Sequence, residues 1–318
     1  MPETVTRWIG RHAHHLTTAD PEAPLTDLGP LADVVRDADV VALGAATRQS
    51  HELSVLAHRM LRFLVEELGF RTLALEGDDA SRVGLDTYIG TGAGDPRLML
   101  AGARSFWRTE ELLDVVHWMR SFNRRHPGDP VRFAETVHAP RGQVPPSVTL
   151  AEIEWSLAED TIRWQERTAD RIVYWGGLGH TADSRPRTGS PSSPPVTHRT
   201  AGSHLRDHFG AGYVSIGLTF HHGTLPYPVP APPADFADAL LGTAGPGSYL
   251  LDLRTEAPAT VRTWLDTPTR TRLIGPFYDP GADAAFHLAG GSLTDWFDAV
   301  LHTQEVTPAR SLSQPDDS

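Results

Sequence analysis

The side chains best suited to proton chemistry fall just after short apolar runs. Arg48, His51 and Glu52 follow the run at 39–43, and Glu76 closes the run at 72–76. Residues 135–138, with a Glu and a His, follow 131–134; His180 follows 171–175; His221 and His222 follow 213–218. Imidazoles and carboxylates placed together perform general acid/base catalysis, in which one group donates a proton as another accepts one. Each position alone is weak, because a lone His after a strand is commonly a cap or a surface residue. Five successive runs ending in titratable groups make a stronger pattern. His51, His180, His221 or His222 with Glu76 could also ligate zinc or iron, but no HExxH-like spacing supports a metal site, and none is expected. The His12, His14 and His15 cluster reads as a solvated helix face.

Such convergence requires a particular scaffold. The apolar runs at 39–43, 72–76, 131–134, 171–175, 213–218 and 248–253 are short and stop at polar or Gly residues, the mark of buried parallel strands. Between them, Leu53, Leu56, Met60, Phe63 and Leu64 recur at helical spacing before Gly69, and Leu112, Val115, Val116 and Met119 repeat the pattern within 110–122. The alternation predicts an α/β fold, a mostly parallel sheet flanked by helices, with ligands gathering at the carboxyl ends of the strands. Residues 184–203, rich in Pro, Ser and Thr, read as a loop that either overhangs the site or is simply solvated. Residues 1–308 read as a single domain, and 309–318 as a disordered tail.

Composition removes many alternatives. The 318 residues carry 40 acidic and 28 basic side chains, all of the latter Arg, and no Cys. Thiolate chemistry, disulfides, Schiff-base Lys and P-loop Lys are therefore excluded. A net charge of -12 disfavours nucleic-acid binding. No run of apolar residues is long enough to span a membrane and no secretory h-region is evident, so a cytoplasmic protein acting on a small molecule is expected. Neither a GxSxG elbow nor a Gly-rich phosphate fingerprint occurs, so neither a serine triad nor a nucleotide cofactor is expected, and the cofactor expectation is none.

From about Val40 to Pro308 the chain resembles the erythromycin esterase family. Residues 44–53 (GAATRQSHEL) are similar to the family's GEATHGTHEF, and 175–180 (WGGLGH) to its WAHNAH. Residues 64–70, 74–76, 107–111, 118–123, 250–254, 278–280 and 296–302 add further similarity. The resemblance implies an esterase scaffold in which the first motif's His acts as general base toward water. In this chain the motif's Glu falls on Ala45 and its His on Arg48, the helix Arg on Ala57, and the first His of WAHNAH on Gly177. Arg59 remains nearby. Arg stays protonated and cannot take a proton from water, and losing a general base removes roughly 10²–10⁴-fold in rate. An Arg instead suits a developing negative charge.

The expectation is a natural-product tailoring enzyme that cyclises, isomerises or eliminates on a polyketide-like molecule without hydrolysis. Arg48 would stabilise charge, Glu76 and His180 exchange protons, and His51 shape the pocket, with Arg59, Trp107, His222 and Glu52 contacting substrate. The alternatives are a hydrolase with His51 or His180 as substitute base, an inert small-molecule binder, and a simple Arg48–Glu76 ion bridge in a dead pocket.

Overall fold

A computed structural model describes residues 2–77, 79–135, 137, 148–189, 196–275 and 277–312. Its centre is a sheet whose main strands are β1 (Val40–Ala45), β2 (Thr72–Leu75), β3 (Arg132–Phe133), β4 (Ile172–Gly177), β5 (Tyr213–Thr224), β6 (Ser248–Asp252) and β7 (Ala299–Val306). They lie in the order β6-β7-β5-β1-β4-β2-β3. All neighbours are parallel except β6, which runs antiparallel to β7. This is the mostly parallel sheet that the apolar runs predict.

Every residue of β1 and of β4 is buried, as both-face coverage demands. Because successive side chains of a strand point to opposite faces, the core divides in two. Val41, Leu43, Val173 and Trp175 join the larger cluster, packed under α1 (His51–Glu66) and α2 (Glu110–Arg125). Val40, Ala42, Ile172 and Tyr174 face the smaller one, covered by α3 (Leu150–Thr168) and, beyond the short α4 (Leu178–Thr181), by α5 (Ala201–Phe209). Helix starts are fixed by side-chain caps. Ser50 accepts the Leu53 N–H, Thr109 accepts that of Leu112, and Thr149 with Glu152 forms a reciprocal capping box.

Several elements differ from expectation. His14–His15 is not a helix face: the N-terminal helix Pro2–His12 ends before it, and the pair forms an edge strand against β6. Within 184–203, Arg187–Gly189 and Val196–His198 pair as antiparallel strands and α5 begins at Ala201, while 190–195 lie outside the described residues. These strands continue into Thr269–Arg272 and His287–Gly291 as a second, four-stranded sheet. Residues 309–312 are not a loose tail. Ala309 N–H donates to Gln49 O at 2.7 Å, Glu110 N–H to Arg310 O at 2.8 Å, and Leu312 N–H to Arg108 O at 3.0 Å. Residues 313–318 lie outside the described set.

Candidate active site

Three parallel strand ends deliver the reactive groups. The loop after β1 carries Arg48, β2 runs into Glu76, and β4 turns through Gly177 into α4, which carries His180. Arg48 Nη2 is ion-paired with Glu76 Oε2, which also accepts the Gly177 N–H at 2.8 Å. His180 Nε2 lies 3.5 Å from Glu76 Oε1, and His180 Nδ1 lies 2.9 Å from Glu154 Oε1 on α3. The Glu76 backbone is pinned as well: Trp107 Nε1–H donates to its carbonyl at 3.0 Å. The Arg48 guanidinium stacks 4.2 Å from the centre of the Phe106 ring.

Glu154 is fully buried, and sequence reading did not single it out. Its Oε1 faces His180, Arg187 Nη1 at 3.4 Å and His198 Nε2 at 3.4 Å, and its Oε2 accepts the Ala201 N–H at 2.8 Å. A signal was present. Glu154 sits three, four and seven residues before the buried Leu157, Ala158 and Thr161, an acid placed on the inward stripe of its helix.

Burial of these charges is opposed by their neighbours. Desolvation would raise the Glu154 pKa, but His180, His198 and Arg187 hold it down at about 2. Desolvation likewise opposes ionisation of Glu76, yet Arg48, His180 and the Gly177 N–H keep its carboxyl below the usual range. For His180 burial pulls the pKa down, and the Glu154 and Glu76 carboxylates overcome it, leaving the imidazolium favoured beyond the ordinary imidazole value. The cluster therefore places a carboxylate on each side of a His whose charged form they favour.

Arg48 and His180 line a cleft of about 560 Å³ with Arg187, Phe106, Leu273, Ile274, Phe277 and Phe286. The side chains of Arg48 and His180 are 17% and 22% exposed, enough to meet a ligand. The other expected site residues lie elsewhere. His51 heads α1 with Nδ1 2.6 Å from Glu111 Oε1, in a cluster that Arg310 completes, and is not among the described residues lining the cleft. Glu52 accepts from the Thr307 N–H and hydroxyl, both at 2.6 Å, and so ties α1 to the segment after β7. Arg59 is fully buried in a bidentate pair with Asp27, donating also to Thr18 O and Pro24 O. That requirement is structural, and Arg59 has no surface to offer a substrate. Trp107 lies behind the Arg48–Glu76 pair rather than on the cleft, and His222 packs against His221, Nδ1 to Nδ1 at 3.0 Å. Glu135 is exposed and pairs with Arg167, and His138 lies outside the described residues. No group of three or more His, Asp or Glu among the described residues is arranged to hold a metal ion.

The scaffold is α/β, and Arg48, Glu76 and His180 come together at the carboxyl ends of adjacent parallel strands, where ligands gather in such folds. A sequence profile of the erythromycin esterase family matches residues 65–134 and 146–306, and the chain belongs to that family. Erythromycin esterase type II of Escherichia coli is 34% identical over 104 residues, which are 33% of this chain and 25% of the relative. YbfO of Bacillus subtilis, which carries a hydrolase name, is 29% identical over 128 residues, 39% of this chain and 27% of the relative. The matched region thus spans about a quarter of the length of each of these relatives. Among solved structures, a Bacillus cereus protein superposes with a TM-score of 0.81 at 21% identity, covering 99% of this chain and 100% of that one. A succinoglycan biosynthesis protein matches equally well, with a TM-score of 0.81 at 19% identity over 98% of each chain. A mutant of the erythromycin esterase EreC in its open conformation gives 0.68 at 12% identity, covering 95% of this chain and 99% of that one. At these identities the structures establish a shared fold.

A Cβ placed on Gly177 would stand 2.6 Å from Arg48 Nη2. The guanidinium thus occupies the space that a side chain at 177 would need.

Proposed function

We propose that the chain is an acid-type tailoring enzyme that isomerises, cyclises or eliminates on a carbonyl-bearing, polyketide-like small molecule without adding water. One observation carries this reading: His180 lies between the Glu76 and Glu154 carboxylates, which favour its imidazolium form, at the wall of a largely apolar cleft beside Arg48. Such an imidazolium is a proton donor. His180 gives its Nε2 proton to a substrate carbonyl oxygen, and Arg48 stabilises negative charge that develops there or on a neighbouring oxygen. The neutral imidazole that remains recovers a proton from the adjacent carbon, so His180 ends as it began and the carbonyl becomes an enol set for rearrangement, ring closure or loss of a leaving group. Glu154 keeps the ring oriented through Nδ1. Glu76, with Oε2 accepting from Arg48 and the Gly177 N–H and Oε1 facing His180, balances the two cations.

The names of the relatives favour a second reading, ester or lactone hydrolysis, which would require a base toward water. Arg48 cannot supply one, and His180 is biased toward its charged form. The experiment that separates the readings is incubation with a macrolide and a simple ester in H₂¹⁸O, followed by mass spectrometry. The expected result is no gain of labelled water, together with turnover of a polyketide-like ketone or lactone that is lost in His180→Gln. Stoichiometric ¹⁸O incorporation that depends on His180 would establish the hydrolase instead.

A further inference from the structure

Charge on the cleft is one-sided. Of the described residues that line it, the ionisable ones are Arg48, His180 and Arg187, whereas Glu76 and Glu154 lie behind them, outside the lining. Two guanidiniums and an imidazole thus face a wall that carries the apolar side chains of Phe106, Leu273, Ile274, Phe277 and Phe286 beside the polar Thr47, Gln49 and Ser105, with both carboxylates set back. The guanidinium donors are also underused. Arg48 gives Nη2 to Glu76, and Arg187 gives Nη1 to Gly179 O at 2.7 Å and to Glu154 at 3.4 Å. Nε of each Arg is buried without a hydrogen-bond partner. Arg48 Nη1 and Arg187 Nη2 have no protein acceptor among the described residues. Unused N–H donors at the edge of a low-dielectric pocket are worth more to an anion than the same donors in water.

We propose that the substrate is a monocarboxylate with an apolar body, its carboxylate shared between Arg48 and Arg187 beside His180 and its chain lying over Phe106, Leu273 and Phe286. This deepens the tailoring-enzyme reading and rests on it for the word substrate, but recognition of the acid is a property of the cleft that can be measured without turnover. A negatively charged group matches a lining whose ionisable side chains are all basic. Each carboxylate oxygen takes one of the free guanidinium donors, in the charge-assisted geometry that Arg favours.

The test is isothermal titration of the full chain with octanoate, its neutral isostere octanamide, and octylamine at fixed ionic strength. Octanoate is expected to bind roughly ten-fold or more tightly than octanamide, with octylamine weakest. Arg187→Lys and Arg48→Gln are each expected to reduce that preference, Arg187→Lys by keeping the charge but losing the planar fork. Equal affinity for acid and amide, no detectable octanoate binding, or a preference untouched in both folded variants would overturn the proposal. The wild-type ratio alone decides the matter if a variant fails to fold. Selective octanoate binding alongside ¹⁸O incorporation into esters would retain the anion site and discard the non-hydrolytic reading. Absence of selectivity alongside His180-dependent isomerisation would do the reverse.

Discussion

At the scale of single residues, the proposed chemistry turns on His180, whose charged form the Glu154 carboxylate favours. Glu154→Gln keeps the shape and the hydrogen bond to Nδ1 but removes the buried charge that favours the imidazolium. The donor form exists below the folded-state pKa of His180 and is lost as pH rises through it. The expected outcome is a pH–rate profile whose alkaline limb moves to lower pH in Glu154→Gln, and an unmoved limb would leave Glu154 a purely structural role. His180→Gln should lower kcat by about 10²-fold or more, the ordinary contribution of a positioned proton donor, with little change in melting temperature. Arg48 and Gly177 form a second unit. Gly177 has an ordinary backbone φ of -78°, so Gly177→Ala adds no backbone strain, and its Cβ displaces only the mobile end of Arg48. The variant should fold normally yet lose the Arg48–Glu76 contact, detectable as weaker ligand binding at unchanged thermal stability. Combining Ala45→Glu, Arg48→His and Gly177→His would replace the guanidinium with the family's motif side chains. If the proposed non-hydrolytic reading holds, labelled-water incorporation into an ester is the expected gain over the parent chain.

At the scale of elements, α3 is the support for the buried carboxylate, and its first turn is held by the Thr149–Glu152 capping box. Thr149→Ala should cost about 1 kcal/mol in a denaturant titration, a typical N-cap loss. A negligible change would mean that packing against α5, and not the cap, sets the helix start. Elements differ in how plainly the sequence announces them. The runs at 39–43, 72–76 and 171–175 are continuous and apolar because both faces are covered, and their polar ends place Arg48 and His180 at the cleft with Glu76 behind them. The strand Thr269–Arg272 has no apolar residue, because its inward positions Thr271 and Arg272 are satisfied by buried Asp238 and Asp283. β7 was hidden for the same reason: its interior His302 is fully buried against Thr219 Oγ1 at 2.9 Å. Hydropathy registers burial by apolarity and passes over burial by hydrogen bonding. Glu52 and Arg59 are the opposite case: charged residues beside a motif read as substrate contacts, and the structure shows them tying α1 to Thr307 and to Asp27.

For the whole molecule, two buried imidazoles govern tolerance to acid. Burial, aided by Arg62 for His58 and by His221 for His302, lowers both pKa values from 6.5 to about 3. The unfolded chain takes up these protons near 6.5 while the folded chain does not, so stability rises with pH between the two values. The contribution is complete above about pH 6.5 and is lost as pH falls toward 3. His58→Leu should therefore move the acid-unfolding midpoint, followed by circular dichroism, to lower pH. The side chain is buried against Trp118 with a ring-centre distance of 5.7 Å, and its Nε2 has no partner to lose. A midpoint unchanged or raised would show that carboxylate pairs, Glu154–His180 among them, dominate acid unfolding.

The place of β7 between β5 and β6 has a consequence in the time order of synthesis. Ribosomes deliver residues 213–224 and 248–252 well before residues 299–306, which must enter between them. Until then one long edge of β5 is unpaired, a template open to any other strand in the crowded surroundings of the nascent chain. The loop bearing Arg48 waits as well, since Thr307 O accepts the His51 N–H at 2.9 Å and Ala309 N–H closes on Gln49 O at 2.7 Å. These contacts with the Arg48 loop cannot form before residues 307–309 are free of the ribosome, and a stalled ribosome carrying a shorter nascent chain holds a sheet with a gap in its middle.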